Sequence, residues 1–72
     1  MLLFNCQFNK TFVIKKILVL DKKLLRRLSD LGITRGAKIY IERASLKKAC
    51  FIVVVNQKRV AISKQIAMEI EV

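Results

Sequence analysis

The spacing of apolar positions changes period twice along the chain and separates one helix from a set of short strands. From Lys10 to Leu20 the residues are rich in Phe, Val and Ile, and this stretch reads as a strand. The period then lengthens. Leu24, Leu25, Leu28 and Leu31 recur at helical spacing and cover an arc of about 120°, the width of a core-facing stripe. Lys22, Lys23, Arg26, Arg27 and Asp30 fill the opposite side. Asp21 stands where an N-cap accepts from the free amides of the first turn. Gly32 follows the last leucine as the residue type that most readily ends a helix in the left-handed conformation. Ile33 can then fold back onto the last helical turn.

Beyond the helix the period returns to two. Thr34-Arg35-Gly36 reads as a tight turn, with Gly36 supplying the positive φ. Ala37 to Ser45 is a strand that puts Ala37, Ile39, Ile41 and Arg43 on one face and Lys38, Tyr40 and Glu42 on the other. Leu46-Lys47-Lys48-Ala49 connects it to a strand from Cys50 to Val55, and Asn56-Gln57 is a hairpin turn into a strand from Arg59 to Ile62. Ser63 can cap a single helical turn across Lys64 to Met68, and Glu69 to Val72 closes as a short strand. Residues 1–72 therefore make one domain, mostly β, with one amphipathic helix and a short C-terminal helical turn. An open sheet of this size leaves a wet apolar face, so closure into a small barrel is expected, with the helix plugging one open end.

Composition decides how so small a domain is held. A chain this short buries only about 60% of its unfolded surface, and the remedies are staples or dense apolar packing. With 54% hydrophobic residues and two cysteines, packing is favoured. Cys6 and Cys50 could pair but do not make a disulfide framework; Cys50, inside Cys50-Phe51-Ile52-Val53-Val54-Val55, is expected as a small buried hydrophobe. No apolar run approaches the roughly 18 residues of a membrane span. Met1 to Cys6 lacks the basic start and cleavage site of a signal peptide, so a cytoplasmic protein with reduced thiols is expected.

Fifteen Lys and Arg against five Asp and Glu give a net charge of +10. That excess argues for an anionic partner, whether nucleic acid, phospholipid or an acidic protein face; a solubility device is the plainer alternative.

Leu24-Leu25-Arg26-Arg27-Leu28-Ser29-Asp30-Leu31-Gly32-Ile33-Thr34-Arg35-Gly36 resembles the signature of the FeoA family, an Arg-Leu-x-x-Leu-Gly-hydrophobic-x-x-Gly segment. The tail from Val60 to Val72 is similar to that family's ending, an Ala-Leu-Arg strand, a helical turn and a final Ile-x-Val. The likeness runs from about Phe12 to Val72 and rests on the order and spacing of two short matches. Leu24, Leu28, Leu31, Gly32 and Gly36 are its structural motif. The chain departs from the family at Asn5-Cys6-Gln7-Phe8-Asn9, at Leu46-Lys47-Lys48-Ala49, where Gly-Asp-Pro is frequent, and at Ser63, where Arg is usual.

The resemblance implies an SH3-like barrel serving as a cytosolic accessory of ferrous iron uptake, which binds and modulates the FeoB GTP-binding membrane permease. It also brings transition metal binding, and kinship to the C-terminal domain of iron- and manganese-dependent repressors, as family expectations.

The residues themselves offer little chemistry. Histidine is absent, and the carboxylates Asp21, Asp30, Glu42, Glu69 and Glu71 are scattered, which disfavours an enzyme. Two thiols leave a metal site half built, so neither a metal site nor a cofactor is assigned. Lys22, Lys23, Arg26 and Arg27 on the helix, with Lys47 and Lys48 on a hairpin loop, are the candidate partner-binding residues, facing acidic protein or the anionic inner surface of the membrane. Nucleic acid is the alternative partner. It needs aromatic stacking platforms among the cations, and only Tyr40, between Lys38 and Glu42, is a candidate.

Overall fold

The computed structural model describes all residues from Met1 to Val72. Strands β1 (Lys10–Val13), β2 (Lys16–Ile17), β3 (Lys38–Ala44), β4 (Cys50–Val55), β5 (Lys58–Ser63) and β6 (Ile70–Glu71) accompany helices α1 (Lys22–Asp30) and α2 (Lys64–Ala67). An antiparallel sheet in the order β1-β3-β4-β5 packs with a two-stranded sheet of β2 and β6. Both contribute to one core, built entirely of apolar side chains from Leu3 to Val72 and burying no polar residue. The expected barrel is thus present as two sheets around a shared core, without a continuous ring of strand pairing.

The reason lies in the segment read as one strand from Lys10 to Leu20. Ile14 N–H still donates to Ala37 O (2.9 Å), but Lys15 N–H donates to Glu71 O (2.7 Å). The chain changes sheets between these two residues, with Ile14 buried at the corner.

Helix α1 forms where its leucine spacing predicts. Asp21 accepts from Lys23 N–H (2.9 Å) and Leu24 N–H (3.4 Å). At the far end Gly32 N–H donates to Ser29 O (2.9 Å) and Ile33 N–H to Leu28 O (2.8 Å), the paired bonds of a Schellman motif. Gly32 has φ +87°, and Leu28 and Ile33, the apolar pair of that motif, are both buried. The Cβ position of Gly32 faces Asn56 and Val55 at the tip of the β4–β5 hairpin. Asn56 and Gln57 form that hairpin with φ of 51° and 64°, as a two-residue turn of primed type requires.

Three further expectations need correction. Leu28 is the only fully buried residue of α1, while Leu24, Leu25 and Leu31 are half-buried against the core. The helix is therefore a flank rather than a plug. The 3-10 turn Leu3–Asn5 packs against α2 and β6, and it carries the fully buried Leu3. Second, a bulge between Ile41 and Arg43 turns Arg43 outward and brings Ala44 opposite Phe51. Third, the alternation of β4 buries Phe51, Val53 and Val55, which places Cys50 on the outer face, half-buried. Cys6, from the N-terminal segment, is the buried thiol.

Candidate functional site

The cationic side of α1 follows from its leucine side. With Leu24, Leu25, Leu28 and Leu31 turned inward, Lys22, Lys23, Arg26 and Arg27 are all exposed. Lys22 and Lys23 occupy the first turn, which holds no acidic residue, although cations there oppose the helix dipole. Arg59, bonded to Glu42 Oε1 at 2.9 Å, is the only one of the fifteen Lys and Arg side chains in an ion pair. The α1 cations are therefore free to meet an external anion.

Beside this face lies an open groove of about 420 Å³ between α1 and α2. Leu18, Leu20, Leu24 and Ile66 supply its apolar walls, with Asp21 and Glu69 among its polar lining. Leu20 is 94% exposed, an apolar side chain with no packing role within the chain. Lys23 and Arg27, one turn apart, line a smaller depression with Asp21 and Leu24. Charge and apolar surface thus meet at the first turn of α1.

The second cationic site, on the β3–β4 loop, differs from its sequence reading. Lys47 is exposed, but Lys48 is half-buried, its Nζ 5.2 Å from the ring centre of Phe4 and 6.0 Å from that of Phe8. Lys64 Nζ comes to 5.6 Å from the Phe4 ring, and Phe4 leans on Phe51 with centroids 5.8 Å apart. Phe4, Phe8 and Lys64 escaped the sequence reading. The phenylalanines carry an apolar signal indistinguishable from core, and Lys64 reads only as the start of a helical turn. Lys15, Lys16 and Arg35 line a further cationic depression with Ile17, which the reading of Lys10 to Leu20 as one strand did not single out. Tyr40 is half-buried and donates from its hydroxyl to Asn9 Oδ1 at 3.1 Å.

The arrangement brings no nucleophile to a base, and no three His, Cys, Asp or Glu side chains converge as metal ligands. Cys6 Sγ donates to Leu2 O at 3.4 Å and lies 3.5 Å from Met1 Sδ. Burial pushes this thiol up, with the Met1 ammonium group pulling against it. The residues present do not fit a transition-metal centre, which needs imidazole, an ionised thiolate or clustered carboxylates, because the chain has no histidine and its thiols and carboxylates do not converge. No helix is long and apolar enough to cross a membrane.

Six short strands in two sheets, a flanking helix and a mostly unpaired cationic exterior define the class: a small SH3-like β-barrel whose distinctive surface is electrostatic. Within that class the chain belongs to the FeoA family, whose FeoA domain matches residues 1–72. The solution structure of the FeoA protein from Chlorobium tepidum superposes with a TM-score of 0.90 at 24% identity, over 99% of this chain and 67% of that one. The Stenotrophomonas maltophilia FeoA complexed with zinc, described as a procaryotic SH3 domain protein, has a TM-score of 0.81 at 20% identity over 99% of this chain and 87% of that one. A manganese-dependent transcriptional repressor contains the same fold, with a TM-score of 0.85 at 18% identity; 97% of this chain spans 39% of it. At these identities the likenesses are of fold. No curated protein matches the sequence at a significant level.

Proposed function

We propose that the protein is a non-enzymatic accessory of ferrous iron uptake, which binds the cytosolic domain of a FeoB-like GTP-binding permease and adjusts its transport. Membership of the FeoA family supports the process. The observation that carries the binding role is the α1 surface, where the exposed and unpaired Lys23 and Arg27 lie beside a groove with apolar walls and Lys22 and Arg26 continue the cationic face. Interfaces combine an apolar centre, which supplies affinity, with a charged rim, which steers and orients. Leu20 and Leu24 fit the first part, and Lys22, Lys23, Arg26 and Arg27 the second. A complementary partner presents apolar residues ringed by Asp and Glu, at the cytoplasmic side of the membrane.

A pull-down with the partner's GTPase domain, in both nucleotide states, tests the reading. Binding is expected in at least one state and is expected to be lost in Arg26→Glu/Arg27→Glu with the circular dichroism spectrum unchanged. Absence of binding in both states, with tight salt-sensitive capture of RNA instead, contradicts it.

A further inference from the structure

The β3–β4 loop gathers exposed apolar and cationic side chains on a backbone held in the left-handed region. Ser45 clasps its base: Ser45 N–H donates to Cys50 O (2.8 Å), Ser45 Oγ accepts from Cys50 N–H (3.0 Å), and Ser45 O accepts from Lys48 N–H (2.9 Å). Lys64 N–H donates to Ala49 O (3.0 Å) and ties the loop to α2. The loop is thus braced at both ends. Within it Lys47 and Lys48 adopt φ of 62° and 55°, a conformation that suits glycine or asparagine and is unfavourable for lysine. Two successive lysines are thus held in a conformation that the braced loop ends impose.

The loop holds Leu46 89% exposed. Phe8, 41% exposed, lies close enough for the Lys48 ammonium group to stand 6.0 Å from its ring centre. Lys47, Lys48 and Lys64 accompany these apolar side chains, and none has a carboxylate partner. Apolar tips beside a cationic collar are what an anionic membrane interface selects. Acyl chains take up the leucine and phenylalanine while ammonium groups meet phosphates, the long lysine stems bridging the two depths. Single-stranded RNA suits the patch less well. Leu46 offers no π face for a base, and the Phe4 ring already engages Phe51 and two ammonium groups, which leaves Phe8 as a single stacking platform where strand binding uses successive ones.

We propose that the Leu46–Lys48 loop, with Phe8 and Lys64, docks on anionic phospholipid and inserts Leu46 at the interface. This surface is separate from the α1 face and requires no protein partner, so vesicles alone test it. The chain has no tryptophan, so Leu46→Trp places a single reporter at the tip. Vesicles of phosphatidylglycerol and phosphatidylethanolamine are expected to shift its emission to the blue, and phosphatidylcholine vesicles are expected to leave it unchanged. Lys47→Glu/Lys64→Glu, both at exposed positions, is expected to weaken co-sedimentation by at least about 25-fold, at about fivefold per charge removed. Arg26→Glu/Arg27→Glu changes net charge by the same amount and is expected to cost much less. Leu46→Ser is expected to reduce co-sedimentation with its circular dichroism intact. Equal losses in the two charge-reversal pairs, equal partition into phosphatidylcholine, or an unshifted emission with anionic vesicles would each overturn the proposal. So would capture of a single-stranded oligonucleotide through the loop lysines with no vesicle binding.

Discussion

Adding one methyl group at Gly32 and, separately, at Gly36 distinguishes backbone strain from steric fit, because both glycines have φ of +87°. An L-residue in this conformation costs about 1–2 kcal/mol, and the stiffer unfolded chain of an alanine variant returns about 0.4–1 kcal/mol. At Gly36 nothing lies within 4 Å of the new Cβ, so Gly36→Ala is expected to destabilise by about 1 kcal/mol from this difference alone. At Gly32 the same atom runs into Asn56 Nδ2. The amide can swing aside, but Asn56 Cγ at 3.2 Å and Val55 Cγ1 at 3.3 Å leave little slack. Overpacking of this kind adds about 1–2 kcal/mol, giving about 2–3 kcal/mol for Gly32→Ala. A domain of this length holds about 4–11 kcal/mol in total, so the variant folds but loses a large share of its stability. Urea titrations followed by circular dichroism measure both costs. In an Asn56→Gly background, which removes the amide side chain, the extra penalty at Gly32 is expected to fall by at least half. Equal costs at the two glycines, or no coupling to position 56, would refute the view that the end of α1 is seated against the β4–β5 hairpin.

Gln57 occupies the second left-handed position of that hairpin, φ 64°. Gln57→Gly is therefore expected to stabilise the protein by about 0.5–1 kcal/mol in the same titrations, the relief of strain less the added freedom of the unfolded chain. An ionisation-dependent effect is expected from Cys6, whose thiol burial raises above its ordinary value of 9.0. The native state then holds a proton that the unfolded chain has lost. Stability is complete below the ordinary value and declines as pH rises through the window up to the raised one, a decline that Cys6→Ala is expected to reduce. Under native conditions iodoacetamide is expected to modify the half-buried Cys50 before Cys6, read by mass spectrometry of the labelled peptides.

Features written in local spacing were legible before the fold. Asp21, the leucine stripe and Gly32 bound α1 because cap, period and stop lie within a dozen neighbouring residues. The Asn56-Gln57 turn was visible for the same reason. What escaped depends on distant partners. The division of Lys10 to Leu20 into two strands follows from Lys15 finding Glu71, a pairing that no local pattern encodes. The N-terminal turn buries Leu3 against elements from the opposite end of the sequence. The bulge at Glu42 exchanges Arg43 for Ala44 on the inner face, although alternation by itself predicts the reverse. The cationic surface was half legible. Exposure of Lys22, Lys23, Arg26 and Arg27 follows from helical geometry. The attachment of Lys48 to Phe4 and Phe8, and the apolar groove beside α1, arise only when remote segments meet.

The claim that the unpaired cations of α1 recruit an acidic partner is tested most directly by the salt dependence of binding. The dissociation constant for the GTPase domain of the proposed permease partner is measured by calorimetry at several ionic strengths, for the wild-type protein and for Arg26→Glu/Arg27→Glu. Affinity is predicted to fall steeply as salt rises through the range where screening lengths shrink to about 10 Å and below. The double variant is predicted to bind weakly and with a much shallower slope. Affinity that ignores salt, or a slope unchanged by reversing both arginines, would contradict the account.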